Sequence, residues 1–184
     1  ERIVKNPQVA ILHYSAPPIV GGVEAVMLAH ARLFHKKNYP TTILAGRGSQ
    51  EGIGSYAQFI QIPEIDSQHP DILTASNALE KGQVPENFDL LVSQLAKKLA
   101  PVLKEFDTLI VHNIFTKHFN LPLTAALHRL LDQGFIQQGI AWCHDFTWTS
   151  PSSRSKVHPG YPWDLLRTPH PRLSYVVVSE ERQK

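Results

Sequence analysis

The sequence predicts an α/β fold with a doubly wound parallel sheet, and three observations support this class. Short apolar runs alternate with stretches that have the period of an amphipathic helix. The first run, over 9–13, is continuously apolar up to its final histidine, as in a strand that is buried on both faces. Strands that are separated by helices form right-handed βαβ units. In a doubly wound order the first of six strands then lies beside the fourth.

The strands are predicted from apolar and β-branched runs that are bounded by turn residues or by helical periodicity. The fourth and fifth runs resemble the first, because each is apolar until it ends in a histidine. The predicted strands are 9–13, 41–45, 58–62, 108–112, 140–144 and 175–178.

The helices are predicted from apolar residues that recur every three or four positions. Asn120 is expected to cap the last helix, and Gly134 to terminate it. Pro101 interrupts the longest apolar pattern, so a kink or a break is expected there. The predicted helices are about 23–38, 71–81, 88–106 and 121–133.

Length and composition exclude several classes of protein. A chain of 184 residues, 42% hydrophobic and 18% charged, fits one domain over 1–184 and excludes a disordered, collagenous or coiled-coil chain. The net charge of +2 is too small for the basic surface of a nucleic-acid-binding domain. No apolar run approaches the ~18 residues of a membrane-spanning helix. Cys143 is the single cysteine, which excludes an internal disulfide and suggests a reducing compartment.

Three of the predicted strands end in a histidine: His13, His112 and His144. The doubly wound order makes these strands neighbours, and ligands bind such sheets outside the carboxyl ends of the strands. The alternative is that each histidine is only a polar residue that leaves the core. A zinc site is not predicted, because no close pair such as H-x-H is present. His30, on the apolar stripe of the first helix, is expected at the edge of the core.

Gly21 and Gly22 stand where the first helix begins, and helix N-termini attract phosphate through free N–H groups. A glycine turn without a ligand is the alternative. A nicotinamide cofactor is a rival, although the G-x-G-x-x-G fingerprint is absent. Arg47, after the second strand, would accept the 2′-phosphate of NADP in that interpretation.

Two loops are predicted on the same edge of the sheet. The segment 46–56 contains four glycines and is expected to be flexible. The segment 145–172 combines five prolines with aromatic and basic residues, among them Trp148 and Arg154. Long loops of this kind are usually functional, and aromatic faces suit stacking on sugar rings. A self-packed surface loop is the alternative.

The ordered set of these motifs resembles the N-terminal half of the group 1 glycosyltransferases, the family 4 enzymes of the GT-B fold. The resemblance covers nearly the whole chain. It rests on His13-Tyr14, Gly21-Gly22-Val23-Glu24, Thr42-Ile43-Leu44-Ala45, Leu109-Ile110-Val111-His112-Asn113, Trp142-Cys143-His144-Asp145 and Tyr175-Val176-Val177-Val178-Ser179.

The resemblance implies one half of a two-domain architecture with two Rossmann-like domains. The N-terminal half binds the acceptor, whereas the nucleotide-sugar domain would follow and is absent from this chain. Members transfer sugar with retention, usually without a metal, so no cofactor is expected besides the nucleotide-sugar co-substrate. Gly21 and Gly22 are expected near the donor diphosphate, and this chain alone is expected to be inactive. His144 and Asp145 are the expected catalytic residues; the expected acceptor-cleft residues are His13, His112, Trp148 and Arg154.

Two other functions stay open at this stage: an NADP-dependent oxidoreductase domain, and a stand-alone carbohydrate- or partner-binding domain. The expected partners are a nucleotide-sugar and a carbohydrate or lipid-linked acceptor, without nucleic acid. The expected location is cytoplasmic. The longest helix carries Lys97, Lys98 and Lys104, which would contact the cytoplasmic membrane face. The alternative is that these lysines form a solvated helix face.

Overall fold

A computed structural model describes residues 5–178, and a six-stranded sheet lies at its centre. All the strand pairs are parallel. The strands are β1 (Val9–Ser15), β2 (Thr41–Arg47), β3 (Gln58–Gln61), β4 (Thr108–His112), β5 (Gly139–Cys143) and β6 (Leu173–Val177).

Helices connect the strands and cover both faces of the sheet. The α-helices are α1 (Gly22–Lys36), α2 (Gln50–Ile53), α3 (Pro70–Glu80), α4 (Phe88–Leu103) and α5 (Leu121–Asp132). Short 3₁₀ helices occupy Pro63–Ile65, His118–Asn120, Arg154–Lys156 and Trp163–Leu166.

The strand order is β3-β2-β1-β4-β5-β6, which confirms the predicted doubly wound, Rossmann-like sheet. β1 lies in the middle, with Leu12 opposite Leu44 of β2 on one side and Val111 of β4 on the other. The chain first builds outward from β1 to β3 and then returns to build from β4 to β6. The carboxyl ends of β1 and β4 therefore meet at the switch point, where such sheets bind ligands.

Alternate residues of each strand enter two separate cores, because successive side chains of a strand point to opposite faces. Ile11 packs with Met27 and Ala31 of α1 in the smaller core. Leu12 belongs to the larger core, which contains Leu99 of α4 and Leu127 of α5. Odd-numbered residues of β1 therefore face α1, and even-numbered residues face α4 and α5. This alternation decides which face of the sheet each functional side chain occupies.

One local expectation is wrong, and of the kink or break expected at Pro101 the break does not occur. The segment 46–56 is not an open loop, because α2 forms within it. The Ser49 side chain accepts a hydrogen bond from the Gly52 N–H, and the Gln50 side chain donates to Ala57 O and accepts from Phe59 N. The long helix is also not broken at Pro101, since α4 continues to Leu103. Proline removes one N–H close to the helix end, where buried flanking side chains hold the backbone in place.

The long loop over 145–172 packs against the body of the domain, as its alternative interpretation predicts. Val157, Trp163 and Leu166 are buried in the larger core. The indole N–H of Trp148 donates to the carbonyl oxygen of Trp163 at 3.1 Å, which ties two parts of the loop together. Ser179, the last residue of the sixth-strand motif, lies outside the described residues.

Candidate functional site

The three strand-end histidines form one row along the carboxyl edge of the sheet. His13 Nδ1 lies 3.2 Å from the carbonyl oxygen of His112, and His112 Nδ1 lies 3.1 Å from His144 Nε2. The rings of His112 and His144 stack with centroids 5.4 Å apart. The predicted neighbourhood of His13, His112 and His144 is therefore present, and it lies at the switch point of the sheet.

The row lies on the α1 face. β1 extends two residues beyond its predicted end, because Ser15 still pairs in register with Arg47. His13 is therefore inside the strand, with Ser15 next to it on the same face. His30 of α1 adds a fourth imidazole, since its ring centroid lies 4.7 Å from Trp142 and 6.0 Å from His112. His30 was expected only at the edge of the core, and its position near His112 and Trp142 was not predicted.

Burial keeps the inner histidines neutral. His112 is fully buried and His13 is nearly so. Burial lowers the pKa of His13 to about 4. Burial, reinforced by the imidazoles of His13, His144 and His30, lowers the pKa of His112 to about 2. Because a carbonyl oxygen only accepts, His13 carries its proton on Nδ1, facing His112. His13 and His112 therefore contribute hydrogen bonds, rather than positive charge, at neutral pH.

Glu24, on the first turn of α1, is a buried carboxylate beside this row. Its Oε1 accepts a 2.5 Å hydrogen bond from the Ser15 hydroxyl and lies 3.9 Å from His13 Nε2. Sequence reasoning assigned Glu24 no role. The available signal was a charged residue at a position whose helical neighbours Met27 and Ala31 are apolar.

The two glycines of the loop have different surroundings. A Cβ atom at Gly21 would collide with the Glu24 carboxylate, whereas a Cβ atom at Gly22 would meet nothing within 4 Å. Gly21 caps α1 with extended backbone, and no side chain caps this helix end. Val20 beside it is 98% exposed. The first-turn amides therefore border an open surface on the Gly22 side and a carboxylate on the Gly21 side.

Asn113 holds the edge of β5 in place. Its backbone is left-handed, with φ of 63°, and its side-chain oxygen accepts hydrogen bonds from His144 N at 2.8 Å and Asp145 N at 3.3 Å. Asparagine tolerates this backbone better than most residues. The amide thereby links the end of β4 to the turn that carries the half-buried His144 and the exposed Asp145.

Replacing Asn113 with glycine is expected to lower the free energy of unfolding by about 1–3 kcal/mol, because two backbone N–H groups lose their acceptor. Glycine keeps the left-handed backbone accessible, so the loss reports the side chain alone. Asn38 provides a matched control, since its φ is 61° at an exposed position. Urea denaturation of both variants measures the difference. Equal stability of Asn113→Gly and Asn38→Gly would contradict the anchoring role.

A second polar group is formed by Lys117 and His118. His118 is buried, with Nδ1 3.0 Å from Thr147 Oγ1 and Nε2 3.5 Å from Glu80 Oε1. Lys117 is also buried, and its ammonium lies over the ring of Phe119. Burial lowers the pKa of Lys117, and the Asp145 carboxylate partly offsets this effect. No pattern in the sequence indicated this group, because a short 3₁₀ helix creates it.

Trp148 and Arg154 have contacts with the long loop and with α3. The Arg167 guanidinium lies 3.7 Å from the centroid of the Trp148 ring, so one face of the indole is covered. Arg154 is exposed on a 3₁₀ helix that packs against α3. The expected place of these two residues in the acceptor cleft stays a prediction.

Arg47 and Cys143 are both engaged within the protein. Arg47 Nε lies 2.6 Å from Oδ2 of the buried Asp66. This ion pair engages one nitrogen of the guanidinium that would bind a 2′-phosphate. Cys143 is buried as predicted. Burial raises the pKa of its thiol to about 11, so it is not an activated nucleophile.

The remaining observations concern metals, membranes and the lysines of α4. Within residues 5–178, no three His, Cys, Asp or Glu side chains are grouped as metal ligands would be. Among the helices of this described part, none has the length and apolarity to cross a bilayer. Lys98 forms an ion pair with Glu64, while Lys97 and Lys104 are exposed.

No family model, curated protein or solved structure matches this chain.

Proposed function

We propose that this chain is the acceptor-side domain of a retaining glycosyltransferase, which moves a sugar from a nucleotide-sugar to a carbohydrate or lipid-linked acceptor. One observation carries the proposal: His13, His112 and His144 meet in a row at the switch point of the sheet. The motif resemblance of the sequence supplies the reaction class. In this proposal a second domain, outside the chain, holds the nucleotide.

The glycine loop provides the second element of the proposal. The leaving nucleoside diphosphate gains negative charge as the glycosidic bond breaks. The uncapped N-terminus of α1 offers backbone N–H groups and the positive end of the helix dipole to this charge. The open side of Gly22 leaves room for such an anion. Preorganised donors of this kind lower the barrier without reorganising during the reaction.

His144 is the proposed catalytic contact. It follows the last residue of β5 and is half-buried, with its backbone held by Asn113. A fixed imidazole there would orient a hydroxyl of the donor sugar, and Asp145 lies beside it. We assign no cofactor to the chain, because the nucleotide-sugar is a co-substrate. The proposed location is cytoplasmic, in agreement with a single cysteine; contact of α4 with the membrane face belongs to the same proposal.

The NADP alternative has less support. Its phosphate-binding residue would be Arg47, but the guanidinium already pairs with the buried carboxylate of Asp66. A phosphate that competed for Nε would take an ion-pair partner away from the buried Asp66 carboxylate, which costs free energy. A stand-alone binding domain is distinguished by its ligand, because it would take up a carbohydrate but no nucleoside diphosphate.

Nucleotide titrations followed by amide NMR test the proposal. Saturating UDP, GDP or ADP is expected to shift the amide signals of Gly21 and Gly22, and calorimetry is expected to show binding weaker than micromolar. NADPH is expected to leave the Arg47 signals in place. A set of nucleoside diphosphates that leaves both glycine signals unchanged would overturn the diphosphate assignment. Tight NADPH binding at Arg47 would favour the oxidoreductase instead.

A further inference from the structure

The two ring nitrogens of His112 lie in different surroundings. Nδ1 is 3.1 Å from His144 Nε2, which is a hydrogen-bonding distance between two imidazoles. Nε2 is buried and has no hydrogen-bond partner among the described residues. The residue as a whole is fully inaccessible to solvent. Solvent therefore does not reach Nε2, the ring nitrogen that has no protein partner.

The position of the His112 proton follows from counting donors. A neutral imidazole carries one N–H, and a nitrogen–nitrogen hydrogen bond needs one donor and one acceptor. A proton on Nε2 would leave a buried N–H without an acceptor, which folded proteins strongly avoid. A proton on Nδ1 is used in the bond to His144, and only a lone pair stays unpaired at Nε2.

We infer that His112 is a positioning residue that donates its Nδ1–H to His144 Nε2 and thereby holds neutral His144 in the tautomer with its proton on Nδ1. The carboxyl ends of β4 and β5 bring the two residues together, because His112 pairs in register with Trp142, two residues before His144. The bond from His144 N to the Asn113 side chain holds the backbone of His144 in place.

This tautomer determines what His144 can recognise. Its Nε2 lone pair is taken up by His112, so Nδ1 of the neutral ring carries the proton and can donate a hydrogen bond but not accept one. Such a donor suits an oxygen acceptor, namely a sugar hydroxyl or a phosphoryl oxygen, and does not suit an ammonium group. The statement about a sugar rests on the proposed function. The tautomer itself does not.

Nitrogen NMR of the chain with ¹⁵N-labelled histidine tests the tautomer directly at neutral pH. His112 and His144 are each expected to show a protonated Nδ1 and a bare Nε2, with a scalar coupling across the N–H···N bond. A protonated Nε2 on His144, or a doubly protonated His144 ring, would overturn the inference. No sugar-transfer assay is needed for this result.

Two variants of His112 separate positioning from simple packing. The side-chain amide of His112→Asn donates from nearly the same place as Nδ1, so His144 is expected to keep its tautomer. The carboxylate of His112→Asp only accepts, so the His144 proton is expected to move to Nε2. An unchanged His144 tautomer in both folded variants would contradict the role of His112. If His112→Asp does not fold, the wild-type and His112→Asn spectra decide.

Kinetics of the enzyme that combines this chain with its donor domain provide the functional readout. His112→Asp is expected to lower kcat by about 10–100-fold, with a smaller effect for His112→Asn, as for other residues that orient a functional histidine. The predicted tautomer without any sugar transfer would refute the proposed function and leave the inference standing. Sugar transfer with the opposite tautomer would support the proposed function and refute the inference about His112.

Discussion

Replacing His144 with alanine is expected to lower kcat for sugar transfer by about 10²-fold or more, comparable to the loss of one preorganised transition-state donor. KM for the donor is expected to change less, because the contact strengthens as charge develops in the transition state. The measurement is steady-state kinetics of the enzyme that contains this chain and its donor domain.

Thermal melts accompany the kinetics, so that lost turnover is not confused with lost folding. His144 is half-buried at the edge of the sheet, so truncation is expected to leave the fold intact. His30→Ala, on the α1 stripe against Trp142, is expected to reduce stability more than turnover. His35→Ala, at an exposed position of α1, is the control for both measurements. Near-normal turnover of His144→Ala, or a variant that only melts early, would make His144 a structural residue.

The free energy of unfolding is expected to fall steeply as the pH drops below the ordinary histidine pKa of 6.5. Burial lowers the pKa of His13, His118 and His128 to about 4, and that of His112 to about 2. Above pH 6.5 these residues are neutral in both states and contribute no pH dependence. Below it, the unfolded chain binds protons that the folded protein does not bind, so acidification favours unfolding.

The loss of stability is expected to develop between pH 6.5 and about 4, where three of the four histidines begin to titrate in the folded state. Each histidine that is neutral when folded and charged when unfolded adds a slope of about 1.4 kcal/mol per pH unit. Urea denaturation at stepped pH measures the total slope. His128→Gln is expected to reduce this slope by the contribution of one histidine, because its pKa is lowered by burial in the folded protein. A flat profile over this range would show that the buried rings are already charged.

The strand order and the histidine row were predictable from the sequence, because the signals that determine them are local. A continuously apolar run indicates a strand buried on both faces. A histidine at the carboxyl end of such a strand lies where parallel sheets bind ligands. Helix α2 was missed because four residues are too few to show a helical period. Its cap at Ser49 and the side-chain bonds of Gln50 hold it together instead.

The roles of Glu24 and His118 were not predictable, because they depend on contacts between distant segments. Glu24 is buried where β1 continues to Ser15, whose hydroxyl donates to its carboxylate. His118 meets Thr147 across 29 positions of sequence. A contact of the same kind covers one face of the Trp148 ring with Arg167, which the sequence pattern did not indicate.

The pairing of Gly21 with Glu24 has an evolutionary consequence. A side chain at position 21 would push the Glu24 carboxylate away from Ser15, so this neighbour favours glycine there independently of any ligand. Gly22 has no such neighbour. Positions 21 and 24 are therefore expected to vary together among homologous chains, whereas position 22 follows the ligand. The two glycines of this loop are thus under independent selective constraints, one from the Glu24 carboxylate at position 21 and one from the ligand at position 22. Only glycine at position 22 indicates phosphate binding.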